Sequence, residues 1–216
     1  GKDLMRAWYG DDRLFGHGGQ DYLDGHIGND SLYGGDDYDR LRGGEGDDLL
    51  SGQNGTDWLE GEEGNDYLKG EQSWDWLYGN EGHDTLWGGQ DNDKLKGGEG
   101  NDVFVFDRYA AFDSQQMGID VILDFGDGAD RIKLDKTAFT ALRSSAGAGF
   151  SRGGEFAMVN SDDLVATSSA YILYSSSSGN LFYNENGGAA GLGSGGQFAI
   201  LRDAPHLDAD SFIISD

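Results

Sequence analysis

The chain of 216 residues contains no cysteine, a single proline, and only 15 Lys+Arg against 40 Asp+Glu. Without cysteine there is no disulfide framework, so an exported chain of this kind must be stapled by something else. One proline among 38 glycines means flexible backbone, yet not a proline-rich linker. The shortage of basic residues leaves a net charge of −25, which repels phosphate backbones and excludes a nucleic-acid binder. Its natural partner is a multivalent cation. No apolar run reaches the roughly 18 residues of a membrane-spanning helix. An initiating Met and an N-terminal signal peptide are also missing, and Gly1 opens in mid-pattern. The expectation is a portion of a longer protein.

What the chain does have is a period. Read in nines from Ala7, it gives AWYGDDRLF, GHGGQDYLD, GHIGNDSLY, GGDDYDRLR and so on to GGEGNDVFV, eleven nonapeptides without insertion through Val105; residues 1–6 end a twelfth. Position six is always aspartate: Asp3, Asp12, Asp21, Asp30, Asp39, Asp48, Asp57, Asp66, Asp75, Asp84, Asp93 and Asp102. Position eight is always large and apolar, from Met5 and Leu14 to Leu95 and Phe104. Nine residues divide into a six-residue glycine-rich bend and a three-residue strand whose middle residue faces inward. One apolar residue per nine makes no core alone. Two strands per turn, stacked at about 4.8 Å, collect all of them in one thin interior of roughly six layers.

This pattern resembles the GGxGxDxUx repeat of hemolysin-type calcium-binding proteins, the RTX family. The resemblance implies an all-β fold: a right-handed parallel β-roll over residues 1–105, followed by a β-rich capping region over 106–216. It also implies several Ca²⁺ ions, each between bends of successive turns, held by position-six carboxylates and by carbonyls of the early bend. Apart from the resemblance, stacked carboxylates repel one another, and hard divalent ions between layers remove that repulsion. Calcium suits such a site better than magnesium, because it tolerates irregular shells of six to eight oxygens.

Repeats two apart share an edge, and the two edges differ. On the edge of Asp12, Asp30, Asp48, Asp66, Asp84 and Asp102, position four is always glycine: Gly10, Gly28, Gly46, Gly64, Gly82 and Gly100. The other edge departs from glycine at Asp37, Ser73 and Asp91. The expectation is a continuous calcium ladder on the Asp12 edge and a weakened one near Ser73.

The outward positions seven and nine hold Tyr22, Arg40, Arg42, Trp58, Trp76 and Tyr78 on one sheet. Aromatics interleaved with arginine suit a polysaccharide platform, as in the similar modules of mannuronan epimerases; improved cross-strand packing, or cover by an upstream domain, is the plainer reading. After the repeats, Gly118–Phe125 and Gly126–Asp135 read as two strands about an acidic turn. They resemble the segment following the repeats in serralysin-type proteins, where Asp124, Asp127 and Asp130 are either a further calcium site or a turn without an ion. Strands are expected at Ala170–Tyr174, Gly179–Tyr183 and Gln197–Leu201, with a short helix near Lys136–Ser144. Leu207–Asp216 resembles the uncleaved C-terminal signal of type I exporters, the reading the repeats favour over a last edge strand of the same appearance.

Catalytic signatures are absent. His17, His26, His83 and His206 form no H-E-x-x-H motif, and no G-x-S-x-G elbow occurs. Gly191–Gly196 fits G-x-G-x-x-G but opens no helix, so it reads as a loop. The expectation is a non-enzymatic calcium-binding module of a secreted, extracellular Gram-negative protein, folding outside the cell after passage through type I secretion machinery, with any catalytic domain upstream. The alternative is a calcium-dependent carbohydrate- or surface-binding module.

Overall fold

The structure, a computed structural model, describes all residues except 108–110, 127, 128 and 188–190. Each repeat contributes one strand: β1 (Leu4–Arg6), β2 (Arg13–Gly18), β3 (Tyr22–Ile27), β4 (Ser31–Asp36), β5 (Arg40–Glu45), β6 (Leu49–Asn54), β7 (Trp58–Glu63), β8 (Tyr67–Gln72), β9 (Trp76–Glu81), β10 (Thr85–Gly89), β11 (Lys94–Glu99) and β12 (Val103–Phe106). Odd strands stack in one parallel sheet and even strands in the other. In register, Leu23 lies opposite Leu41, Leu41 opposite Leu59 and Leu59 opposite Leu77. From Leu23 to Phe104 these position-eight side chains are fully buried. The result is a parallel β-solenoid, a β-roll, around one file of leucines.

The strands are longer than the spacing suggests. They run over positions seven, eight, nine, one, two and three, as in Tyr22–Ile27. Pairing skips position one and resumes with His26 opposite Gly44 and Ile27 opposite Glu45. The tight turn is left to positions four and five. From His17 onward, positions two and four take a left-handed φ with or without glycine there, including Gln53 (77°), Glu62 (83°), Asp37 (79°) and Ser73 (78°). Glycine at position one answers a different need. A Cβ on Gly61 would collide with Oδ2 of Asp66 and lie 2.9 Å from the carbonyl oxygen of Gly79 in the next layer.

The solenoid does not stop with the repeats. β13 (Asp120–Ile122) pairs parallel with β11 and β14 (Arg131–Asp135) with β12, followed by β19 (Gly196–Leu201) on β13 and β20 (Phe212–Ser215) on β14. The six expected layers therefore become eight. β18 (Asn180–Tyr183), β17 (Ile172–Ser175) and β16 (Phe156–Val159) extend the odd sheet, and β15 (Gly147–Ala148) extends the even one. Phe106, Phe112, Phe139, Tyr183 and Phe198 close this end, with ring centroids 5.1 to 6.5 Å apart.

The strands expected in the cap are β17, β18 and β19, and Gly191–Gly196 connects the last two as a loop leading into β19. The helix expected at Lys136–Ser144 does not form. Asp135 takes the Thr137 N–H at 2.7 Å, and Ala138, Phe139 and Leu142 turn into the core. Short local bonds and buried apolar groups on more than one side leave a series of turns there. The α-helix is instead α1 (Ser114–Met117), capped by the Asp113 carboxylate accepting from Gln115 N–H.

The two uses of glycine predict opposite mutational signs. Gly61→Ala should destabilise the calcium-loaded protein by roughly 1–3 kcal/mol through overpacking. Gln53→Gly, which relieves a left-handed φ, should stabilise it by about 1 kcal/mol. Denaturant melts at saturating calcium decide this, and equal effects of both substitutions would refute the distinction.

Candidate metal centre

The position-six aspartates form two columns, one on each edge, and each carboxylate divides its oxygens in the same way. Oδ1 accepts the backbone N–H of the position-six residue one layer earlier. On one edge Asp12 N–H donates to Asp30, Asp30 to Asp48, Asp48 to Asp66, Asp66 to Asp84 and Asp84 to Asp102, at 2.7–2.9 Å. On the other, the chain runs from Asp3 through Asp21, Asp39, Asp57 and Asp75 to Asp93, at 2.6–2.8 Å. Oδ2 has no such partner. It is buried and unbonded in Asp21, Asp30, Asp39, Asp48, Asp57, Asp66, Asp75, Asp84, Asp93 and Asp102. Asp3 and Asp12, at the open end, remain at least partly exposed.

An unpartnered buried carboxylate oxygen is costly, and a buried ion can lose several kcal/mol of solvation. The carboxyls respond as this predicts. Burial pushes Asp39 and Asp102 up to about 6 and Asp48, Asp57, Asp84 and Asp93 to about 7. Asp66 rises to about 8 and Asp75 to about 9, again chiefly by burial, with neighbouring column members adding repulsion.

These residues fit a hard cation. Beside the Cα of Gly16, Oδ2 of Asp21 and the carbonyl oxygen of Gly34 come together, each within 2.6 Å of where a Cβ would stand. The same pairing of a carboxylate with the next layer's position-one carbonyl recurs along the repeats, as at Gly70 with Asp75 and the Gly88 carbonyl. Among the described residues no three His, Cys, Asp or Glu side chains converge as a metal cluster. Each layer brings one column carboxylate per edge, with a position-one carbonyl oxygen beside it. Mixed carboxylate and carbonyl oxygen is calcium's chemistry rather than zinc's.

The two edges are built differently. On the Asp12 edge, position five adds a second ladder: Asp11, Asn29, Asp47, Asn65, His83 and Asn101 each accept the N–H one layer later, at 2.7–3.0 Å. Position-four N–H groups on that edge reach the next layer at 2.8–2.9 Å. On the Asp3 edge, position five holds Lys2, Gln20, Tyr38, Thr56 and Trp74 before Asn92, and Asn92 accepts from Ile119 N–H. The position-four bonds of Gly19 and Gly55 there are 3.2 and 3.4 Å. Asp37, Ser73 and Asp91 nevertheless keep the turn's backbone shape.

Sequence reasoning missed that both columns enter the cap. Asp93 N–H donates to Asp120 at 3.1 Å and Asp102 N–H to Asp130 at 2.9 Å. The signal was there in the triads Asp120-Val-Ile and Asp130-Arg-Ile, displaced from the nine-residue period. Of the acidic turn, Asp124 accepts from Gly97 and Gly98 N–H, and Asp130 also accepts from Gly126 N–H. Asp127 lies outside the described residues.

On the outer face, the aromatic and basic residues are brought together by register, and they occupy one another. Trp58 stacks on Trp76 and on Tyr78, at centroid distances of 6.1 and 4.9 Å. Arg40 lies over Tyr22 and Trp58 and pairs with Glu60, and Arg42 pairs with Glu62.

Comparison with known families agrees with this geometry. The model of the RTX calcium-binding nonapeptide repeat matches in four copies, at residues 1–32, 9–41, 33–68 and 69–104. Residues 1–104 thus carry RTX calcium-binding nonapeptide repeats, a non-catalytic kind of module. No curated protein matches the chain. Ten solved chains do; one is the AlgE6R3 subunit of the Azotobacter vinelandii mannuronan C5-epimerase, 25% identical, covering 82% of this chain and 78% of that one with a TM-score of 0.40. Such a loose superposition carries no argument about function.

The raised carboxyls set a pH response. Without metal, a folded-state value above the roughly 3.9 of free aspartate stabilises the protonated fold. That stability is complete below about pH 4 and is lost as pH rises through the folded values. In chelator, the strand signal in circular dichroism should therefore grow as pH falls from 9 to 5, through the window of about 6 to 9 where these groups titrate. At limiting calcium the trend should reverse, because protons displace the ion. A strand signal in chelator that falls on acidification would contradict it.

Proposed function

We propose that this chain is a calcium-dependent folding module of a larger secreted protein. It stays expanded where free calcium is submicromolar, passes a type I exporter of a Gram-negative cell in that state, and folds outside, where calcium is plentiful. The observation that carries this reading is the set of ten buried Oδ2 atoms without a partner. Their charge opposes folding until a cation meets it, so metal binding and folding share one free energy. The module itself is non-enzymatic in this reading, and any catalytic domain would lie upstream of it.

Calcium titration of the chelated protein, followed by circular dichroism and calorimetry, tests this. Expected is a cooperative gain of strand with several ions bound per chain. Full strand content with an unchanged melt in excess chelator would sink the proposal. Within the module we place the stronger ion ladder on the Asp12 edge, on the support of its second hydrogen-bond ladder. Asp66→Asn should then raise the calcium midpoint more than Asp57→Asn, and in chelator each should ease folding by removing a buried charge.

The polysaccharide reading of Tyr22, Arg40, Arg42, Trp58, Trp76 and Tyr78 has less support, because a sugar platform needs free ring faces. We assign these rings to cross-strand packing. Trp58→Ala with Trp76→Ala should lower the melting temperature of the calcium form and leave retention on an acidic polysaccharide gel unchanged. Retention lost with the melt intact would restore the binding role.

A further inference from the structure

We infer that the cap carries an oxyanion-binding site, formed by Arg143, Arg152, the Gly153–Gly154 turn and Tyr171, which takes a carboxylate or phosphate borne on a sugar-sized molecule. These residues, with Glu155, Ser169 and Gly187, line a cavity of about 370 Å³. That volume lies in the range of small-molecule sites, roughly 300–1,000 Å³, and is too small for a folded partner.

The cavity gathers two arginines in a chain of net charge −25. On the solenoid, Arg6, Arg40 and Arg42 each sit against a carboxylate. Among the described residues, Arg143 and Arg152 have no such ion pair, as is also true of Arg13, Arg131 and Arg202, but these two line one cavity. The acid on the cavity wall, Glu155, is 4% exposed and already committed. It accepts Arg143 N–H at 2.6 Å, Ser144 N–H at 3.1 Å, and the Ser144 hydroxyl. Ser144 Oγ accepts Arg152 N–H at 3.2 Å. This buried knot holds the backbones of both arginines, whose residues line the same cavity, while spending the carboxylate on main-chain and hydroxyl donors.

The rest of the lining suits an anion. Arg143 Nη1 donates to the carbonyls of Thr140 and Leu142, which anchors one corner of the guanidinium and leaves its other donors. Gly153 and Gly154 are exposed, and a Cβ on either would meet nothing within 4 Å, so a ligand can approach their backbone. Gly187, at φ 49°, lies against the Tyr171 ring, where a side chain would collide with it. Two planar guanidinium forks match the paired oxygens of a carboxylate or phosphate, and the tyrosine supplies a wall for the ring that bears it. The overall negative field opposes any anion at long range, so these local contacts must hold it.

The test is an NMR titration of the calcium-loaded protein, following the arginine side-chain and Tyr171 signals, with sodium glucuronate, glucose 6-phosphate and glucose as probes. Expected are saturable shifts with an anionic probe and none with glucose; the probe that acts identifies the oxyanion as carboxylate, phosphate or both. Arg143→Gln and Arg152→Gln should each weaken binding by about tenfold, the order of one charge-assisted contact, with calcium-induced strand content unchanged. Signals of Asp66 and Asp75 must stay in place, since their movement would mean the probe is withdrawing calcium, and would count against the site. Equal shifts with glucose, or no saturable shift with either anion, would overturn the proposal.

Discussion

Each layer of the repeats rests on two carboxylates, one on each edge, and the two oxygens of each face opposite demands. Oδ1 ties the backbone of one layer to the next, as Asp66 does for Asp48, while Oδ2 is carried into the interior without a partner. The first bond needs the aspartate in place and the second makes it expensive to bury. Removing the side chain would loosen the stack; leaving it ionised and unmet opposes the stack. A hard cation or a proton resolves the conflict, and the proton is lost as pH rises through the folded values of about 6 to 9.

That constraint explains the glycines. At position one, any Cβ would occupy the space that Oδ2 takes, as at Gly61 beside Asp66. At positions two and four the backbone is left-handed, and there glycine is a convenience that Gln53, Glu62 and Ser73 do without. Two causes produce one apparent glycine motif, and only the first belongs to the carboxylate. The edges then differ in how much hydrogen bonding supports the columns. Asn29, Asp47, Asn65 and His83 add a ladder that Gln20, Tyr38, Thr56 and Trp74 do not reproduce.

The aromatic residues on the outer sheet show how register changes the meaning of a composition. Read along the chain, Trp58 and Trp76 with Arg40 suggest an exposed platform. Stacked one layer apart, they present their faces to each other, and Arg40 lies over the Trp58 ring at 6.0 Å. In the cap, Arg143 and Arg152 do the reverse: nine residues apart and unremarkable in sequence, they line one cavity, their backbones tied to the buried Glu155 and Ser144.

The nine-residue period by itself determined the solenoid, the leucine file and the two aspartate columns, because strict spacing in a parallel stack allows one register. Strand length lay beyond it, since the pattern cannot tell a bend from a strand that turns a corner at position one. So did the cap. Asp120 and Asp130 join the columns at offsets of 27 and 28 residues from Asp93 and Asp102, not 18. Lys136–Ser144 folds as turns because its side chains fill a core assembled from distant strands. Which oxygen of each aspartate is spent and which is left without a partner was decided only by the tertiary structure. A hydrogen-bond partner one layer away is a matter of space, and repeat spacing alone does not say which atom will reach it.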